Sequence, residues 1–556
     1  MTVKIGVIHM KPTRKFHIVD APAGSGKTYR AIQWALEKAF QYRRKTVLVF
    51  KSIELLQQAQ RDACMFDQRS KYTVPINGFH SHMFEQFGND FSVAAKLADH
   101  LKHADHRTGE ILMITEAAFI NLTHWPNRWM WTCVCDEIPA VAPADKLNIP
   151  DNHHLLTDYI ELGDDKDGYS EVRPTQEGKA VLMRYAENPQ KDQVSAVLSS
   201  MARHIVSPYF ETYVKTLKYE RVKSGKGEAG ARQLEMFSLL QPTLFGSGQP
   251  RQYRERIGVH CEVIDQFADV LVMGAGFQNS LLGLIWPHLN LQFEPFEPIS
   301  TKLRYKHHDC GDRLHIGYLF ETDWSKAFRG KASILNGLEQ LNLNIYLETI
   351  QAEFAGPCAY LVNKDVEDLV ANSLTNIQAE QLPNAPWGLN KYQHIHNVAI
   401  LSALNPTPAH IGFLTHMGLD GHAIRDALFH SQIYQAVMRC SLRDPASTQL
   451  VHVLVPDRKS AEALGGQFDG SRVQKLPLDL QETQQMPIGR PKIAEPKSKQ
   501  QTLSESRKRK RAMDKEIKRI KAGGDVDEQL LEQFQRECRT DNGTFLRLLE
   551  VIDENR

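Results

Sequence analysis

Short runs of β-branched and apolar residues recur along the chain, alternating with stretches whose apolar positions return at helical spacing. FHIVDAP, KTVLVFK, EILMITE and WTCVCDEI are the first such runs, and the segments 29–42 and 52–64 between them have helical patterning. In the first of these helices Ile32, Leu36 and Phe40 recur every four residues, which predicts an apolar stripe packed on a sheet. Strand and helix in alternation predict a parallel sheet covered by helices.

From about residue 150 to 252 the pattern loosens. Polar, glycine-bearing stretches such as GDDKDGYSEVRPTQEGK and VKSGKGEAGARQ flank helical segments such as 190–217, and the whole reads as an insertion. Strand-like runs resume with ADVLVMGAG, and LHIGYLF, CAYLVNKD, NVAILSAL and QLVHVLVPD then predict a second α/β lobe. The expected division is a first lobe over 1–284, a second over 285–480 and a tail over 481–556. Beyond Pro487 the chain becomes polar and charged, partly disordered by composition, with a short amphipathic helix expected over 526–539. No repeat at solenoid periods is present.

Composition narrows the class. A chain of 556 residues exceeds one compact core, and at roughly 100 to 200 residues per domain it predicts about three or four units. With 42% hydrophobic and 24% charged residues it matches a globular protein. The longest apolar runs, such as TVLVF and ILMI, fall far short of the roughly 18 residues that suggest a membrane span. The N-terminal MTVKIGVIHMKPTRKF reads as an early strand instead of a signal peptide, and a cytoplasmic location is expected. The eight cysteines form no Cys-x-x-Cys pair, so disulfides and structural zinc are not expected. Residues 487–521 carry 13 Lys/Arg against 4 Asp/Glu, which leaves the rest of the chain at 54 against 62. The positive charge is therefore concentrated in the tail.

Three stretches carry chemistry. APAGSGKT, Ala21 to Thr28, lies between a strand and a helix. The small residues Ala23, Gly24, Ser25 and Gly26 let backbone N–H groups wrap phosphates, Lys27 reaches the β- and γ-phosphates, and Thr28 offers a hydroxyl to Mg²⁺. An ordinary glycine-rich turn is the competing reading, and the strand-to-helix setting argues against it. WTCVCDEIP ends an apolar strand with two carboxylates, where open parallel sheets face their ligands. Asp136 suits Mg²⁺, a cation that takes oxygen ligands, and Glu137 suits a base for an attacking water. In IYQAVMRCSLR, Gln435, Arg439 and Arg443 recur every four residues and predict one polar stripe on a helix, with Ile433, Val437 and Cys440 turned away. Arginines on a second lobe can reach the γ-phosphate held by the first, although a solvated charge stripe would look the same.

AGSGKT, DEIP and QAVMRCSLR, in this order, resemble motifs I, II and VI of superfamily 2 helicases of the DEAD/DEAH-like, DExx-box kind. VLVFKSIELLQQAQ resembles motif Ia. MITEAAF with Thr115, LVMGAGFQNSLL, AYLVNKD and GLNKY (Gly388 to Tyr392) occupy the places of the later motifs. The resemblance covers most of 16–455 and extends to helicases of phages and mobile elements. It implies two tandem RecA-like P-loop lobes with parallel sheets, an insertion in the first and a basic C-terminal tail. It also implies ATP held between the lobes, Gln435 near the adenosine or γ-phosphate, and Arg439 or Arg443 as the finger.

The chain departs from the family pattern at four places: Ala21 replaces the usual first glycine, Gly274-Ala275-Gly276 replaces hydroxyl residues of motif III, the motif VI arginines are four apart, and Glu116 replaces a histidine.

The expected activity is Mg·ATP hydrolysis coupled to unwinding or remodelling of nucleic acid, DNA in preference to RNA, by a monomer that works beside replication or recombination proteins. The tail run RKRKR, 507–511, is a candidate for phosphate binding, and GRP at 489–491 for a minor-groove contact. Two alternatives remain open at this point. One is a packaging-type motor with a nuclease lobe, for which Asp365, Glu367 and Asp368 are the available carboxylates. The other is an ATP-switched nucleic-acid-binding module without translocation.

Overall fold

The computed structural model describes residues 15–83, 93–148, 153–188, 192–224, 233–254, 260–289, 291–383, 391–482, 514–521 and 551–552. The N-terminal strand expected before residue 15, the helix expected over 526–539, the GRP and RKRKR segments and Gly388 to Asn390 lie outside them. The chain divides into two compact units, Met1–Thr483 and Gln484–Arg556. In the second unit residues 514–521 are helical, and Arg519 pairs with Glu516 at 2.6 Å.

The first unit holds two parallel-sheet lobes of the RecA-like kind. Its chain runs β1 (Lys15–Asp20), α1 (Lys27–Tyr42), β2 (Lys45–Phe50), α2 (Ile53–Ser70), β3 (Ile76–Phe79), β4 (Glu110–Thr115) and β5 (Trp131–Cys135). It then passes through β6 (Ala144–Asn148), β7 (Ile160–Lys166), β8 (Tyr169–Pro174), β9 (Phe210–Lys215) and β10 (Gln233–Leu240). A ribbon of β11 (Gly246–Arg254) and β12 (His260–Gln266) leads back to β13 (Asp269–Gly274) and β14 (Gln292–Pro295).

The first sheet has the order β14-β1-β13-β5-β2-β4-β3, parallel throughout. All six residues of β2 are buried, as a strand covered on both faces requires. Lys45 and Glu110 pair at 2.9 Å at the start of β2 and β4. Burial alone would push the Glu110 carboxyl up, but hydrogen bonds from His100 and Lys45 hold it at about 2. On α1 the buried face is Ala31, Ile32, Ala35, Leu36 and Ala39. Phe40 does not continue the expected stripe: it is 51% exposed and stacks on Tyr72 with ring centroids 4.6 Å apart. A four-residue step drifts about 40° around a helix, so a strict repeat of four walks off the sheet within two steps.

The second lobe comprises β15 (Leu314–Phe320), β16 (Ala332–Leu335), β17 (Leu338–Leu341), β18 (Cys358–Leu361), β19 (Ala379–Gln381), β20 (Asn397–Ile400), β21 (Val451–Asp457), β22 (Arg472–Lys475) and β23 (Leu480–Gln481). Its parallel sheet has the order β19-β18-β20-β21-β15-β22, and β17-β16-β23 form a small antiparallel sheet beside it. Because β14 pairs with β1, the first sheet runs past the expected boundary at 284, and the stretch 296–313 joins the lobes.

Residues 144–240 form an antiparallel sheet of order β6-β10-β9-β8-β7, with helices Gly178–Glu187 and Gln193–Val206. The polar text that looked loose is in part a tight hairpin. Asp167 and Gly168 take φ of 52° and 91° between β7 and β8, the left-handed pair that a two-residue hairpin needs. The helix expected over 190–217 ends at Val206, because Pro208 forces Ser207 into an extended conformation (ψ 132°), and Phe210–Lys215 is strand instead.

This inserted sheet does not pack on the first lobe alone. Phe413, on the second-lobe helix Pro408–His416, stacks on Phe237 with centroids 4.7 Å apart and planes 12° apart. Tyr169 and Tyr213 flank the same ring at 5.4 and 5.7 Å.

Candidate active site between the lobes

The first lobe contributes a loop, Ala21 to Gly26, between β1 and α1. Gly24 and Gly26 take φ of 82° and 88°, which side chains with a β-carbon rarely adopt. At Gly24 a β-carbon would also stand 2.6 Å from the Tyr305 hydroxyl. Ala21, at the position where glycine is usual, is not left-handed, and its N–H donates to Gly274 O at 3.0 Å. Replacing the first glycine therefore leaves the loop intact.

Lys27 is buried and donates from Nζ to the carbonyls of Ala21 (2.7 Å) and Pro22 (3.0 Å); burial pulls its pKa down. Thr28 Oγ1 donates to Asp136 Oδ1 at 2.7 Å, so the end of β5 and the start of α1 meet across β13. Burial, and then the neighbouring Glu137 carboxylate, push Asp136 up to about 7 against the opposing pull of Thr28, Lys27 and Arg443. A hydroxyl and a carboxylate oxygen side by side, with the Glu137 carboxylate next to them, are the donor set that suits a hard divalent cation completed by phosphate and water oxygens. Among the described residues no group of three or more His, Cys, Asp or Glu forms a metal cluster of its own.

The second lobe brings Gln435, Arg439 and Arg443 to this loop, though not as one helical stripe. The helix Ser431–Val437 stops before Arg439, and Arg443 follows on the short 3₁₀ turn Ser441–Arg443. Gln435 and Arg439 are both buried, and Arg439 Nη2 donates to Gln435 Oε1 at 3.1 Å. Burial, and then the charge of Arg443, draw Arg439 down to about 9; burial chiefly lowers Arg443 as well. Arg443 Cγ lies 3.2 Å from where a β-carbon on Gly24 would be, so the second lobe touches the loop directly. Arg439 Nε, Arg443 Nη1 and Ser25 Oγ are buried without a hydrogen-bond partner. Buried donors in that state cost free energy, and an anionic ligand such as a phosphate would satisfy them.

Several residues at this site carry no sequence signal. The Ala23 N–H donates to the Tyr434 hydroxyl at 2.8 Å, and the Tyr305 hydroxyl donates to Ala23 O at 2.8 Å. His308 Nε2 is 2.8 Å from the Tyr434 hydroxyl, and its ring stacks on Phe468 with centroids 4.4 Å apart. Burial takes His308 down to about 4. Only the position of Tyr434 next to Gln435 hinted at it.

The weaker motif residues divide between site and scaffold. Lys51, just after β2, pairs with Glu116, whose Oε1 accepts from Ala140 N at 3.2 Å, so Glu116 ties the turn after Asp136 to the neighbouring strand end. Thr115 caps the helix Glu116–Asn121 through Ala118 N. Gly274 has no room for a side chain, since a β-carbon there would lie 2.4 Å from Ile138 Cγ1, which accounts for the missing hydroxyl. Tyr392 is buried, with its hydroxyl on Gln381 O at 3.0 Å. Asp365 pairs with Arg329 (2.8 Å) and Lys326 (3.1 Å) and is not part of a carboxylate cluster. A cleft of about 830 Å³ runs between the lobes, lined among others by Glu137, Pro143, His307, His410, Gln432 and Gln435. No helix among the described residues is long and apolar enough to cross a membrane.

No protein-family model matches the sequence. No curated protein matches it either. Among solved structures, one described as XPD helicase matches over 83% of this chain and 96% of its own, at 12% identity and a TM-score of 0.47. Dbp5 of S. cerevisiae bound to RNA and ADP BeF3 matches over 84% and 86%, at 9% identity and a TM-score of 0.34. The DEAD-box helicase Mss116 bound to ssRNA and UDP-BeF matches over 84% and 72%, at 10% identity and a TM-score of 0.34. At such identities and TM-scores these likenesses carry no argument about this chain, and what the site does rests on its own geometry.

Proposed function

We propose that this chain is an ATP-dependent helicase or translocase that couples Mg·ATP hydrolysis to unwinding or remodelling of nucleic acid. The observation that carries this is the approach of Arg439 and Arg443 from one lobe to the phosphate-type loop of the other, with unpartnered buried donors between them. Mg·ATP would supply the electrophilic γ-phosphoryl group and the charge that balances Asp136. In this reading the N–H groups of Gly24 to Thr28 and the Lys27 ammonium hold phosphate oxygens, Ala23, whose own N–H goes to Tyr434, shapes the loop around them, and Thr28 with Asp136 holds the cation. Glu137 orients water and accepts its proton. Gln435 contacts the adenosine or the γ-phosphate, and Arg439 with Arg443 stabilises the charge that develops on transfer. A motor of this kind needs the second lobe to reach the nucleotide loop of the first, and the contact of Arg443 with Gly24 supports that reading.

The same reading takes the lobes as roughly 1–295 and 314–480 around the inserted sheet, and the basic tail as an auxiliary, salt-sensitive contact to DNA. It takes the protein to be a cytoplasmic monomer beside replication or recombination partners. Steady-state ATP hydrolysis, alone and with single-stranded DNA, duplex DNA or RNA, tests it. One nucleic acid, expected to be DNA, stimulates the wild type. Lys27→Ala abolishes turnover, and Arg439→Ala lowers it about 10³-fold or more. Hydrolysis that no nucleic acid stimulates, equal in wild type and variants, overturns the reading.

A further inference from the structure

The loop residue Ala23 is held at both its N–H and its carbonyl by groups outside its own lobe's core. Its N–H goes to Tyr434 of the second lobe and its carbonyl accepts from Tyr305 of the joining stretch. The Tyr434 oxygen accepts from Ala23, and His308 Nε2 lies 2.8 Å from the same oxygen. Burial against Phe468 keeps the His308 ring neutral, and when its proton is on Nδ1 the ring accepts the Tyr434 proton at Nε2. Tyr434 and His308 are both largely buried, at the wall of the cleft between the lobes. Tyr434 also stands directly before Gln435, on the helix that carries the second lobe's polar groups to the site.

We propose that Tyr434, backed by His308, is a positioning residue that couples the phosphate loop to the arginine-bearing lobe. The relay from Ala23 through Tyr434 to His308 sets the loop in register with Arg439 and Arg443. This rests on the reading of the site as an ATPase. The hydroxyl touches neither of the predicted cation ligands and acts through the loop backbone. When the lobes separate, Ala23 N–H loses its partner, so the loop senses the position of the second lobe through one hydrogen bond. Removing that bond while keeping the ring loosens the register in which the arginines meet the phosphate, which weakens transition-state contacts more than ground-state binding.

The test is Tyr434→Phe in the full chain, with His308→Phe and His308→Gln beside it. Tyr434→Phe is expected to lower kcat for ATP hydrolysis about five- to tenfold with KM for ATP within about twofold, the size of one neutral hydrogen bond. His308→Phe, which removes the acceptor, reproduces this; His308→Gln, which keeps one, restores most of it. A second readout needs no hydrolysis: energy transfer between dyes on the exposed Arg61 and Glu353, one per lobe. In nucleotide-free wild type a single high-transfer state is expected, and Tyr434→Phe adds a low-transfer population. An unaltered transfer histogram with unaltered kcat overturns the proposal, as does an equal loss in kcat and thermal stability that His308→Gln fails to rescue. If the wild type hydrolyses no ATP, the ATPase reading fails, while the transfer measurement still decides whether Tyr434 ties the lobes.

Discussion

Gly274 illustrates how a residue that departs from an expected pattern is explained by one contact. Its carbonyl holds the Ala21 N–H, and the space where a side chain would start is filled by Ile138 from the turn after Asp136. Restoring a hydroxyl there is therefore expected to harm the protein. Gly274→Ser should cost about 1–3 kcal/mol in urea unfolding, as overpacking does, and should lower ATP turnover by disturbing both Ala21 and Asp136. Unchanged stability and turnover would show that Ile138 yields freely. At this scale the Ala21–Thr28 loop and the Asp136–Glu137 pair stood out as candidates because each lies within eight or nine consecutive residues at the end of a strand. Tyr434 and Ala23 are 411 residues apart, and no local pattern marks a contact of that kind. Arg439 and Arg443 stood out as candidate residues but form no stripe, since Met438 ends the helix between Gln435 and Arg439.

Among the elements, the buried parallel strands were the easiest to read, because β2, β4, β5, β13, β15 and β21 are near-continuous apolar runs. The edge strands β3, β14 and β22 are four residues long and partly or fully exposed, so they lack such a signature. The inserted sheet was harder still. Its strands alternate between a covered and a wet face, and the Asp167-Gly168 turn that organises β7 and β8 was hidden among charges. Its aromatic face, Phe237 with Tyr169 and Tyr213, exists to receive Phe413 from the other lobe, a pairing only the fold reveals. Phe413→Ala is expected to destabilise the chain by about 3 kcal/mol or more, the usual result of emptying a fully packed aromatic site, and to expose the insertion to limited proteolysis. A variant as stable and as protease-resistant as wild type would mean that the stack is incidental.

For the whole molecule, the sequence indicated two α/β lobes and a charge split between an acidic body and a basic tail; it did not indicate how the lobes are joined, either at the Ala23–Tyr434 and Gly24–Arg443 contacts or outside them. Outside them, one join is covalent, the stretch 296–313. The other is the seat of Phe413 in the inserted sheet. The cleft between the lobes is lined by Lys306 and His307 from the first join and by His410, one turn before Phe413, at the second. Phe413 is therefore a clasp at the edge of that cleft: while it stays seated, the lobes part only as far as that stack allows. On the proposed activity, Phe413→Ala should speed the release of a fluorescent ATP analogue, and equal release rates in variant and wild type would mean that the stack does not restrain the lobes.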